Sequence, residues 1–285
     1  MARRRRLCAT VPRLDMDALQ RNNVTVTGKG EQAMVLVHGF GCDQHMWRLV
    51  APAFEEEYQV VLLDLAGAGQ SDLTAYDPAR YNSLQAHADD VLEVLDALRL
   101  SNMVFVGHSV SAMIGVLAAI REPQRFAHLV LVAPSPRYVN DQGYVGGFEP
   151  ADIEELLEAM DSNYLGWSCH MGSVIMDNAD RPELAAELTN SFCRTDPAIA
   201  RHFARITFLG DNRADLRHLR TPTLILQSAR DLIAPLAVGA YLHQQVPGSN
   251  LLVINTSGHC LHLNAPKETV AAIGEYLSTA AVSQP

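Results

Sequence analysis

A chain of 285 residues, 48% of them hydrophobic, can bury one sizeable core and leave material for a small inserted subdomain. Its formal net charge of −10 opposes phosphate backbones and anionic lipid, so neither a nucleic-acid partner nor a membrane surface is expected. No apolar run reaches the roughly 18 residues that a bilayer span needs.

Residues 1–21 open with four arginines at positions 3–6, followed by an apolar stretch too short for a secretory signal. They are expected to form a disordered basic tail, with Met16 as a candidate start. Residues 23–28 (NVTVTG) alternate polar and apolar and predict an edge strand. The runs 33–38 (AMVLVH), 59–64 (QVVLLD), 102–106 (NMVFV), 129–133 (LVLVA), 223–227 (TLILQ) and 251–255 (LLVIN) are short and continuously apolar. Such runs fit strands buried on both faces of a mostly parallel sheet. Ser83 is a candidate N-cap, after which Leu84, Ala88, Val91, Leu95 and Leu98 recur at helical spacing. Residues 110–120 are apolar nearly all round, as in a helix packed on the sheet, and Pro123 stops them. Strand alternating with helix predicts a doubly wound α/β fold.

From 136 to 210 the alternation lapses into four helical patterns. They are carried by Ile153, Leu157 and Met160; by Tyr164, Trp167, Met171 and Ile175; by Leu184, Leu188 and Phe192; and by Ile199, Phe203 and Ile206. This predicts a helical cap (136–210) inserted between two parts of one α/β core, 22–135 and 211–285.

In 104–111 (VFVGHSVS), Gly107-His108-Ser109 falls between a predicted strand and a predicted helix, where a nucleophile elbow must sit. Ser109 is the candidate nucleophile. The motif usually ends in glycine; Ser111 stands there instead, small enough for the turn to survive. A serine hydroxyl needs a base to take its proton, and His259, after the last predicted strand, is the candidate. Asp231, in the loop after 223–227 and 28 positions before His259, is the candidate acid, giving the chain order Ser, acid, His. Asp64 reads as part of a structural turn. The main-chain N–H groups of Val110 and of Phe40, in His38-Gly39-Phe40-Gly41, are the candidate oxyanion donors.

Five scattered cysteines (8, 42, 169, 193 and 260), without a C-x-x-C pair, predict neither a disulfide framework nor a metal site, and a reducing cytoplasm. Cys42 and Cys260 flank the site motifs, so modification of their thiols is expected to perturb activity. Gly67-Ala68-Gly69 matches no phosphate-binding pattern, and no cofactor is expected. No helix carries a sustained apolar heptad, so a monomer is expected.

The segments HGFGCDQHMW (38–47), DLAGAGQSDL (64–73), GHSVSAMIG (107–115), GGFE (146–149), FCRTDPAIARHF (192–203) and SGHCLHL (257–263) resemble one clade of the α/β-hydrolase superfamily. That clade holds the RsbQ-like stress regulators and the strigolactone and karrikin receptors; GHSVS, with serine last, is similar to the strigolactone-receptor branch. The resemblance implies a V-shaped four-helix cap over an apolar pocket lined by Phe40, His108, Tyr138, Trp167, Met171 and Phe208. Helical periodicity alone places Trp167 and Met171 in the core. The expected activity is hydrolysis of a small apolar ester, lactone or strigolactone-like butenolide. The alternative is an RsbQ-like ligand sensor that acts through a signalling partner with slow or single-turnover hydrolysis. Carbon–carbon bond hydrolysis by the same triad stays open.

Overall fold

The computed structural model describes residues 13–282 of the chain, with side chains from 17 to 280. In chain order the first elements are α1 (Arg13–Arg21), β1 (Thr25–Gly28), β2 (Ala33–Val37), β3 (Gln59–Leu63), α2 (Leu84–Ala97), β4 (Met103–His108), α3 (Val110–Arg121) and β5 (Phe126–Val132). Four helices follow: α4 (Pro150–Ser162), α5 (Tyr164–Met176), α6 (Pro182–Arg194) and α7 (Pro197–Leu209). The chain closes with α8 (Arg213–Leu216), β6 (Thr223–Arg230), α9 (Leu236–Gln245), β7 (Asn250–Ser257), α10 (Leu261–Asn264) and α11 (Pro266–Val282).

The strands form one sheet in the order β1-β3-β2-β4-β5-β6-β7. Every neighbouring pair is parallel except β1 with β3. The alternating segment is the antiparallel edge strand, and five of the six continuously apolar runs are inner strands. The sixth, 251–255, departs from the expectation: it is β7, the opposite edge of the sheet, paired only with β6 and with Leu252 and Val253 exposed. Along β2, Val35 and Val37 enter the cluster beneath α1, α2 and α3, while Met34 and Leu36 enter the opposite cluster, with Trp47 and residues of α11. Period-two geometry makes every position of such a strand a core position. Ser83 does cap α2, in extended backbone, but through its position and not through a side-chain hydrogen bond.

The four consecutive helices α4–α7 form the inserted cap. Proline stands at the first turn of α4, α6 and α7, where its missing N–H costs nothing. α5 packs along α6, and α4 packs on α7 and α5. Their apolar faces meet Cys42, Met46 and Tyr138 of the core in a third cluster.

The expected tail does not extend to residue 21. Residues 13–21 form α1, with Ala18 and Leu19 buried in the main cluster. Arg21 pairs with Asp90 at 3.0 Å and with Glu93. Buried apolar contact together with a two-carboxylate clamp on α2 holds this helix in place. Residues 1–12, the arginines at 3–6 among them, lie outside the described residues. Among the described residues no helix is long and apolar enough to cross a membrane.

Candidate active site

Ser109 sits between β4 and α3 at φ 57°, ψ −120°, a backbone conformation costly for any residue with a side chain. The turn is this sharp because nothing larger than glycine fits at position 107. A Cβ there would lie 2.5 Å from the Ser111 carbonyl oxygen and 2.9 Å from the Ala112 nitrogen. Ser111 is accommodated: its hydroxyl donates to the His38 carbonyl just after β2, so the departure from glycine adds a tie between the first turn of α3 and the end of β2. Val110 is the first residue of α3, so its N–H has no acceptor within the helix. That group and the half-buried Phe40 stand at the ends of adjacent parallel strands. Gly39 lets the Phe40 loop approach: a Cβ on it would lie 2.5 Å from His108 Nδ1.

The side chains of Ser109, His259 and Asp231 meet in one hydrogen-bonded line. His259 Nε2 is 2.7 Å from Ser109 Oγ, and His259 Nδ1 is 2.8 Å from Asp231 Oδ2. A carboxylate only accepts, so Nδ1 carries the imidazole proton and Nε2 is left to accept from the serine. Asp231 Oδ1 meanwhile accepts from the main-chain N–H groups of Ile233 (2.8 Å) and Ala234 (3.0 Å), which fixes the carboxylate plane. Since the Ser109 proton points at His259, the Tyr138 hydroxyl, 3.2 Å from Ser109 Oγ, is the donor in that contact. Burial pushes the Tyr138 phenol well above its ordinary range, so it stays protonated.

The peptide of His259 is held on both sides. Its N–H donates to the Ile175 carbonyl in α5 (2.8 Å), and its carbonyl accepts from His108 Nε2 (3.1 Å). Burial first, then the neighbouring His262 and His259, hold His108 well below the usual histidine range. His108 is therefore a neutral donor that ties the elbow to the loop of His259. Behind it His262 lies against the rings of Trp47 and His108, at 4.6 and 4.5 Å, and burial lowers it to about 3. Asp64 has the structural role expected of it, accepting from the Gln44 and Gln70 N–H groups and from Asn23 Nδ2.

Above Ser109 lies a cavity of about 30 Å³. Its wall includes Phe40, His108, Tyr138 and Phe208 of the expected lining, and also Ile175, Leu188, Phe192, Thr207 and Ile233, which sequence reasoning missed as lining. The missed positions lie on the predicted cap helices or after β6; what marks them is which helix face turns downward, and periodicity alone does not say that. Trp167 and Met171 correct the expectation in the other direction. Both are buried in the cap cluster, with the Trp167 ring against Phe40 (6.3 Å) and Phe192 (5.2 Å), one layer behind the wall. That is the core position their helical spacing alone predicted. Cys42 and Cys260 do border the cavity, but burial raises both thiols, so neither supplies the thiolate that modification needs. Among the described residues no group of three or more His, Cys, Asp or Glu side chains could hold a metal ion.

A cavity this small holds a water but no ester, given that pockets for drug-sized ligands run to about 300–1,000 Å³. Admission of a substrate therefore requires the aromatic rings between cap and floor to move.

The sequence profile of the alpha/beta hydrolase family matches residues 34–273. Similar proteins include the strigolactone esterase of Arabidopsis thaliana, 39% identical over 251 residues that cover 88% of this chain and 94% of the relative. The karrikin insensitive 2 receptor CA of Petunia hybrida is 38% identical over 255 residues, 89% of this chain and 94% of the relative. A solved structure of a hydrolase from Oleispira antarctica superposes with a TM-score of 0.90 at 42% identity, covering 93% of this chain and 97% of that one. With a seven-stranded, mostly parallel sheet, an elbow serine at the end of its β4 and a helical cap above, this chain belongs to the alpha/beta hydrolase family, as a serine hydrolase.

Proposed function

We propose that the protein hydrolyses a small, largely apolar ester or lactone, with Ser109 as nucleophile, His259 as general base and then acid, and Asp231 as the residue that orients and stabilises the imidazole. The observation that carries this reading is the unbroken line of hydrogen bonds from Asp231 through His259 to Ser109, 2.8 and 2.7 Å long, beneath an apolar cavity. In the first half-reaction the Ser109 proton passes to His259 Nε2 as Oγ attacks the substrate carbonyl. The N–H groups of Val110 and Phe40 receive the oxyanion, and Asp231 stabilises the imidazolium without taking its proton. Collapse expels the alcohol, or opens the lactone ring, with the proton from His259. Water attacks the acyl-serine by the same route in the second half. The apolar wall of Phe40, Phe192, Phe208 and Ile233 favours an uncharged acyl group. The names of the Arabidopsis and Petunia relatives point to butenolide-like lactones as the first substrates to try.

A second reading, ligand sensing through a partner protein, is supported by the Petunia relative's being named a receptor and by the tightness of the cavity. A multiple-turnover time course on a fluorogenic butenolide ester and on p-nitrophenyl butyrate, wild type against Ser109→Ala, separates the two. Many turnovers that fall at least about 10⁴-fold in the variant are expected of the hydrolase. A Ser109-dependent burst that stalls at one equivalent supports the sensor. Hydrolysis unchanged in Ser109→Ala would refute the nucleophile assignment in both.

A further inference from the structure

Serine and threonine inside a helix ordinarily donate their hydroxyl proton to the carbonyl four residues back. This protein does so repeatedly: Ser168 donates to Tyr164 at 2.8 Å, Thr269 to Ala265 at 2.8 Å and Ser278 to Gly274 at 2.7 Å. Thr207, in the third turn of the cap helix α7, departs from that pattern. It is 5% exposed, its Oγ1 is out of contact with solvent, and that oxygen has no hydrogen-bond partner. The same residue forms part of the cavity wall above Ser109. A buried hydroxyl without a partner is destabilising relative to one that is satisfied, so a ligand that satisfies it recovers that free energy.

The other proton donors of the wall are committed; the unpartnered His108 Nδ1 is an acceptor, since that ring is neutral with its proton on Nε2. Ser109 donates to His259, Tyr138 to Ser109, His108 to the His259 carbonyl and His259 to Asp231. Cys42 donates to the Phe40 carbonyl, and the Cys260 thiol is a weak donor at best. The wall therefore offers one strong proton donor that the triad does not use, and it lies on the cap side, away from the elbow.

We propose that Thr207 is a specificity-determining residue: its hydroxyl donates to a second oxygen of the substrate, an ether or carbonyl outside the scissile group, so that the preferred ester or lactone is one carrying such an acceptor on an otherwise apolar skeleton. This rests on the hydrolase reading above and narrows its substrate class. Selection arises because a hydrocarbon substrate of the same shape leaves the hydroxyl unpaired, whereas the oxygenated one pairs it.

The test uses matched p-nitrophenyl esters that differ by exchange of one methylene for oxygen: butyrate against methoxyacetate, and pentanoate against 3-methoxypropanoate. The inductive advantage of the ether oxygen cancels when the ratio of kcat/KM, ether over hydrocarbon, is compared between proteins. Thr207→Val is expected to lower that ratio about five- to tenfold for at least one pair. Thr207→Ser, which keeps the hydroxyl, is expected to hold it within about twofold. A loss of packing alone would depress both members of a pair together and leave the ratio where it was. Ratios equal in wild type and Thr207→Val for both pairs overturn the proposal. Titration calorimetry of the same pairs against Ser109→Ala reads the ratio without turnover, with the same two outcomes. Failure of the hydrolase reading shows separately, as hydrolysis that survives Ser109→Ala.

Discussion

Asp231 offers a substitution pair in which function and folding separate. Its Oδ2 faces His259 Nδ1 and its Oδ1 accepts from two buried N–H groups, those of Ile233 and Ala234. In Asp231→Asn the amide oxygen serves those two donors best, which turns the NH₂ group towards His259. Two donors then face one another, and the ring relieves the conflict by moving its proton to Nε2. Nε2 can no longer accept from Ser109, and the base is lost although every heavy atom keeps its place. In serine proteases this tautomer switch is worth about 10⁴-fold in kcat, or about 5.5 kcal/mol of transition-state stabilisation. The same loss is expected here, with little change in stability. Asp231→Ala removes the base's partner too, but it also strands two main-chain donors in a site where Asp231 is 6% and Ala234 0% exposed. At roughly 1–3 kcal/mol for each unsatisfied group, this variant loses about 2–6 kcal/mol of stability that the asparagine variant keeps. Initial rates on p-nitrophenyl butyrate and urea unfolding midpoints, measured on both variants, give the comparison. Asparagine activity within tenfold of wild type would refute the assigned role of Asp231. Equal unfolding midpoints for the two variants would refute the role given to Oδ1.

Two further predictions concern the supports of the site. Ser111→Ala removes the donor to the buried His38 carbonyl and is expected to cost about 1–3 kcal/mol in chemical denaturation, with triad activity retained because nothing in the relay changes. Acid should also destabilise the protein through histidines buried in neutral form. His87 and His262 are both fully buried, with both ring nitrogens unpartnered, and burial first of all lowers each to about 3. For His87 the charges of His38, Arg80 and His202 add to this, and for His262 those of His259 and Arg48. The folded values lie below the unfolded value of about 6.5, so the unfolded chain binds protons first. The stability these groups contribute is complete above about pH 6.5 and is lost as the pH falls towards 3, by about 1.4 kcal/mol per unit for each group. Unfolding midpoints at pH 7 and pH 5 should show that loss, and His87→Phe, which keeps a ring between Tyr81 and Phe203, should reduce it; an equal pH dependence in the variant refutes the assignment to His87.

Much of this architecture is legible in the chain because buried parallel strands cannot hide. All seven predicted segments are strands, with ends shifted by a residue or a few; only 251–255 differs in kind, an apolar run that lies at the sheet edge as β7, because an apolar run does not say how many neighbours it pairs with. The elbow was visible because its glycine, serine and following apolar helix occupy consecutive positions, and Asp231 and His259 because each follows a strand. α1 was not legible. Its composition, with Arg13, Asp15, Asp17, Gln20 and Arg21, reads as solvated chain, and what fixes it is long-range: Ala18 and Leu19 against the core and Arg21 against Asp90 and Glu93. The cavity wall was half legible for a related reason. Periodicity shows that a helix has an apolar face but not which residues at the edge of that face look down on Ser109, so Thr207 gives no signal, and for Trp167 periodicity points to the core while the resemblance points to the wall.

The hydrogen bonds around His259 also constrain how the cavity can widen. The C-terminal turn of α5 is fastened to the loop of the base: the Ile175 carbonyl takes the His259 N–H, and the Met176 carbonyl takes Asn264 Nδ2, which also binds the Ser257 carbonyl. Asn178 reaches the Asn264 side-chain oxygen from the residues just beyond α5. A displacement of this turn large enough to admit an ester would pull on the peptide of His259 and lengthen the 2.7 Å contact with Ser109 that the chemistry requires. On the opposite side Tyr138 is tied to Ser109 Oγ at 3.2 Å, but the Phe208 ring has no hydrogen bond to lose. There Phe40, Tyr138 and Phe208 meet at ring separations of 5.2–5.7 Å, and aromatic contacts of this kind re-form in several geometries at a cost of about 1 kcal/mol. A rotation of Phe208 on α7 would widen the cavity without pulling on the α5 contacts to His259.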